Sequence, residues 1–78
     1  MSIDPGSIQV GKCYLTNTGQ VRRVIRIMPN GRVQYEHRLG HAILKRQWPS
    51  NIAEGRTFAF AVEREVPCDW TPETDGAE

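Results

Sequence analysis

An Asn-Gly pair at Asn30-Gly31, preceded by Pro29 and flanked by two β-branched, basic stretches, narrows most what this chain can fold into. Asn-Gly accepts positive φ at both central positions of a tight turn, so the flanking stretches are expected to pair as a hairpin. After the turn, residues 32–38 alternate, with Val33, Tyr35 and His37 on one face and Arg32, Gln34, Glu36 and Arg38 on the other. The period of two reads as a strand with the first set inward. Before the turn, residues 20–28 are rich in β-branched side chains but do not alternate cleanly. A bulge near Arg22-Arg23 would turn both arginines to solvent and return Val21, Val24 or Ile25, and Ile27 to the core.

The same reading extends to the rest of the chain. Residues 10–16 alternate as a first strand, and Asn17-Thr18-Gly19 supplies turn chemistry. Leu39-Gly40-His41 breaks the pattern, residues 42–48 form a fourth strand, and Pro49 ends it by removing a ladder donor. Residues 50–55 read as a loop. Thr57 can cap a short helical turn to about Val62, followed by a last strand through Val66. The expected organisation is a lead-in over 1–9, a folded body over 10–67 and an acidic, disordered tail over 68–78. The expected core is Cys13, Leu15, Val24 or Ile25, Ile27, Val33, Tyr35, Ile43 or Leu44, Phe58, Val62 and Val66.

This layout resembles the small β-barrels of the SH3-like and Tudor-like kind, which implies a mainly β fold of five strands with one helical turn before the last. The resemblance is carried by residues 11–15, the Val21-Arg22-Arg23-Val24-Ile25 run, residues 30–35, Phe58-Ala59 and the Arg64-Glu65-Val66 ending. It is similar to short, mostly uncharacterised bacterial proteins, some of them on phages and other mobile elements. Such barrels serve mainly as binding modules. The plasmid-borne type II dihydrofolate reductases resemble the chain in length and barrel class, and imply an oligomeric enzyme as a further reading. Their Val-Gln-Ile-Tyr motif stands here as Val33-Gln34-Tyr35, without the Ile.

A chain of 78 residues buries roughly 60% of its unfolded surface. A core that thin favours weak self-association, a homodimer first. No apolar run approaches the roughly 18 residues of a membrane span, and the first ten residues lack a secretory pattern, so a cytoplasmic protein is expected. A reducing cytoplasm would keep Cys13 and Cys68 as buried thiols. In a closed barrel the first and last strands can be neighbours, which makes a bridge between the two sterically possible.

No residue set points to catalysis, a cofactor or a metal. Cys13, His37, His41 and Cys68 lack the close ligand pairs of a zinc knuckle, and the glycines stand singly at turns rather than in a phosphate loop. Charge is the more informative feature. From Gly6 to Ala53 eight basic residues face one acid, Glu36, whereas from Glu54 onward seven acids face two arginines. The candidate partner-binding residues are therefore Arg22, Arg23, Arg26, Arg32 and Arg38 on the hairpin, with Tyr35 and Trp48 as aromatic neighbours. The expected function is a non-enzymatic module binding a protein or a second copy of itself. The alternative is weak single-stranded nucleic-acid binding through those arginines.

Overall fold

The computed structural model describes residues 4–40 and 48–72. Five strands, β1 (Cys13–Thr16), β2 (Gln20–Ile27), β3 (Arg32–Leu39), β4 (Ser50–Glu54) and β5 (Val62–Val66), form one antiparallel sheet in the order β4-β3-β2-β1-β5. Among the described residues one short α-helix, α1 (Gly55–Ala61), joins β4 to β5. The mainly β architecture with a helical turn before the last strand is as expected. Closure is not: among the described residues β4 and β5 are the two edges and do not pair with each other, so the sheet is open.

The hairpin forms where Asn30-Gly31 places it, with a different turn. Gly31 alone takes positive φ (85°), the Gly31 amide donates to Met28 O at 2.9 Å, and Met28 N donates to Arg32 O at 2.8 Å. This is a type I turn closed by a left-handed glycine, because Pro29 already has the negative φ of the first central position. Gly19 (φ 85°) ends the β1–β2 turn in the same way, its amide bonded to Thr16 O.

Both faces of the sheet are covered, which corrects the reading of β2. On one face Tyr14, Val24, Val33 and Tyr35 pack with Ile8, Phe58, Ala59 and Val62. On the other, Cys13, Leu15, Val21 and Val66 pack beneath Trp70 and Cys68. Val21 and Val24 are therefore both buried by plain alternation, one on each face, with no bulge at Arg22-Arg23. The register shifts later, between Val24 and Arg26. Ile25 falls at the shift, and Ile27, beyond the reach of either cluster, is 45% exposed rather than core. Ile43 and Leu44 lie outside the described residues.

Two chain segments differ from their sequence reading. The stretch taken as a loop is β4, whose outer position in the sheet needs no apolar alternation, and the fourth strand expected over 42–48 falls mostly outside the described residues. The helix begins at Gly55 with Glu54, not Thr57, at its N-cap. At the start of the chain, Ile8 is buried and the Tyr14 hydroxyl accepts from Gln9 N at 2.9 Å, so this part of the lead-in belongs to the body.

The second face is closed by a strap of residues 67–70. Cys68 is bridged to Cys13, so the expectation of two thiols is overturned, and neither sulfur is left for a zinc site. Such a bridge is unusual for a reducing cytoplasm. Trp70, 6% exposed, lies over Gly40, where a Cβ would meet its ring at 2.6 Å and Gly19 O at 2.8 Å. Gly40→Ala is expected to lift the strap and cost about 1–3 kcal/mol, read as a lower urea midpoint at unchanged slope.

Candidate functional site

Cross-strand partners share a sheet face, so the register sorts the hairpin arginines. Arg23 is opposite Glu36 and Cys13, Arg26 opposite Gln34, and Arg32 and Arg38 alternate with them on β3. These four lie on the strap side. Arg22, opposite His37 and Tyr14, lies on the helix side. The shift at Ile25 is what returns Arg26 to the side of Arg23.

Sharing a face does not give the arginines one task. Arg38 is 3% exposed and acts inside the fold: its Nη1 donates to Leu39 O (3.1 Å) and Gly40 O (2.8 Å), and its Nη2 to Cys68 O (2.8 Å) and Trp70 O (2.7 Å). Burial lowers its pKa from the ordinary range, and Asp69 offsets part of that effect. The planar fork suits four carbonyls, which a lysine ammonium would not span. Arg23 is held by Glu36 Oε1 at 2.6 Å and lies 4.3 Å from the Trp48 ring, with Arg38 at 5.2 Å from the same ring. Arg22 stacks on Tyr35 at 4.8 Å and donates through Nε to Gln20 Oε1 at 2.7 Å. Tyr35 itself is buried under α1 against Phe58. Of the seven residues named from the sequence, Arg26 and Arg32 are the two that stand exposed on the surface.

The feature that sequence reasoning passed over is the edge beside them. Edge strands expose unpaired N–H and C=O groups, and proteins guard them with charge, proline or bulges. The two edges differ in this respect. The three central residues of β5 are Glu63, Arg64 and Glu65, all charged and exposed. In β4 the corresponding residues are Asn51, Ile52 and Ala53, with neither lysine nor proline inside the strand.

The outward groups of β4 can be assigned. His37 N donates to Pro49 O and Gly55 N to Gly31 O, so the odd-numbered residues of this segment bond to the body. Backbone direction alternates, so Ser50 and Ile52 present their N–H and C=O groups outward, and Glu54 its N–H, since the Glu54 carbonyl caps the first turn of α1. The Ile52 amide confirms the parity, since it is taken by its neighbour's side chain, Asn51 Oδ1, at 2.9 Å. Ile52 is 50% exposed and sits with Arg32, Ala53 and Glu54 around a shallow depression of about 300 Å³. A second depression, of about 420 Å³, is lined by Arg26, Ile27, Met28, Pro29 and Asn30 at the hairpin tip.

Compared with known families, curated proteins and solved structures, the chain matches none.

Proposed function

We propose that this protein is a non-enzymatic binding module of SH3-like architecture that takes up an extended protein segment by strand addition at β4. The meander of β1 to β4, with a helix that carries the chain back so that β5 pairs with β1, supports that architecture. The observation that carries the function is the asymmetry of the edges: β5 is guarded by three consecutive charges, whereas β4, an edge among the described residues, turns the backbone groups of Ser50 and Ile52, the Glu54 amide and a half-exposed isoleucine outward. In strand addition, main-chain bonds give affinity and alternate side chains give selectivity. The Ile52 depression selects an apolar residue on the incoming segment, while Arg32 and Glu54 beside it stand opposite each other and balance in charge. Nucleic-acid binding has less support, because Arg38 is buried, Arg23 is paired with Glu36, and Arg22 lies on the opposite face.

The test uses Ile52→Pro. The Ile52 amide faces away from β3, so proline there removes an outward donor and spares the internal ladder, as is tolerated at sheet edges. Random extended peptides displayed on phage are selected on the parent protein and measured on both proteins. Peptides selected for β4 should bind the variant about tenfold more weakly or worse, the loss expected from one blocked main-chain donor and a disrupted ladder. Equal binding to the two proteins would place the site elsewhere and overturn the reading.

A further inference from the structure

We propose that the occupant of the β4 edge is a second copy of this chain, with β4 pairing antiparallel to its own symmetry mate about a two-fold axis through Ile52. This rests on the strand-addition reading and names its partner. The argument is one of register. Outward residues must face outward residues for the two strands to exchange hydrogen bonds, and here those residues are Ser50, Ile52 and Glu54. Pairing the whole of β4 with itself leaves one arrangement: Ile52 opposite its own counterpart, and Ser50 opposite Glu54 twice over.

The side chains fit that arrangement. Ile52, exposed in the single chain, gains an identical apolar partner directly across the ladder. Each Glu54 carboxylate faces a Ser50 hydroxyl, an acceptor against a donor, so the strand's one charged residue never meets itself. Slipping the register until Glu54 faced Glu54 would set like charges opposite each other, which is destabilising. The β5 edge has no such solution, because its exposed charges alternate Glu63, Arg64, Glu65. A two-fold pairing centred on Arg64 sets two arginines face to face. Two-fold interfaces use the same patch on both partners, and β4 is the edge whose pattern is complementary to itself. Displacing Asn51 Oδ1 from the Ile52 amide is the local cost, and it falls on an exposed bond. A five-residue edge buries far less than the roughly 1,200 Å² of a stable complex, so the dimer is weak and concentration-dependent.

Sedimentation velocity over a concentration series, on the full chain, tests the proposal with three variants. The parent should shift from monomer to dimer as concentration rises towards about 1 mM, the weak end of measurable affinity. Ile52→Pro should weaken the dimer about tenfold or more by blocking the central pair of hydrogen bonds. Ser50→Lys, at an exposed position that leaves folding intact, places two Lys–Glu54 pairs across the interface. It should tighten the dimer roughly threefold to tenfold at low salt. Adding Glu54→Gln to Ser50→Lys should abolish the gain. A dimer that ignores Ile52→Pro, or a Ser50→Lys effect that survives Glu54→Gln, would overturn the two-fold register. A parent that stays monomeric throughout would overturn self-pairing. In that case peptides that still lose affinity for Ile52→Pro leave strand addition standing, and peptides that do not remove both.

Discussion

Reducing the Cys13–Cys68 bridge is expected to remove about 4 kcal/mol of stability, the cross-linking effect for a closed loop of this length. The bridge spans 55 residues of sequence. A single core in a chain below 80 residues supplies at most roughly 3–5 kcal/mol, so the bridge should account for about half of the oxidised protein's stability, and the reduced protein should retain only the core's share. Urea titrations with and without a phosphine reductant measure this directly. The oxidised protein should unfold in one transition well above the reduced midpoint, and Cys13→Ser should reproduce the reduced curve. Coincident curves would mean that the packing of Leu15, Val21, Val66 and Trp70 holds the second face without covalent help.

Loss of the Arg38 guanidinium has the second largest expected effect. Arg38→Met keeps most of the buried stem but leaves the carbonyls of Leu39, Gly40, Cys68 and Trp70 without their donor. Stranding buried acceptors costs their desolvation, and about 3 kcal/mol is expected for the set. Arg38→Lys should recover only part of this, because one ammonium does not reach both Gly40 O and Trp70 O in the geometry of the fork. The distinguishing readout is hydrogen exchange at the Trp70 amide, which is bonded to Pro67 O within the strap. It should speed up more than the amides of β2 and β3. Uniform acceleration across the protein would assign Arg38 to global stability rather than to holding the strap.

These two predictions concern the part of the fold that the sequence left open. The hairpin, the helix before the last strand and the burial of Val33, Tyr35, Phe58 and Val62 were legible because turn chemistry and alternation are local signals. The strap was not. A tryptophan in an acidic, proline-flanked stretch carries no local mark of docking, and Arg38 reads as a surface charge in a basic hairpin when it is a clamp. The β2 pattern misled for a related reason: alternation was judged against one buried face, and this sheet has two. β4 was missed because an edge strand of Ser, Asn, Ile, Ala and Glu is too polar and short to look like one. Its only sequence trace was the apolar pair Ile52-Ala53 between Asn51 and Glu54. The candidate site therefore moved from the arginines, whose charge is conspicuous in the sequence, to an edge whose backbone is what matters.

The position of the bridge has a mechanical consequence. All five strands and α1 lie within the covalent ring closed by Cys13 and Cys68. Tension applied to the chain on either side of the ring passes through the sulfur–sulfur link and bypasses the sheet, whose hydrogen bonds carry none of the load. Under pulling, the segments outside the ring, with Ile8 and Trp70, are drawn off first, and the ring itself gives no slack until a thiol opens it. Its extensibility then rises by the full length of the sequestered segment in a single step.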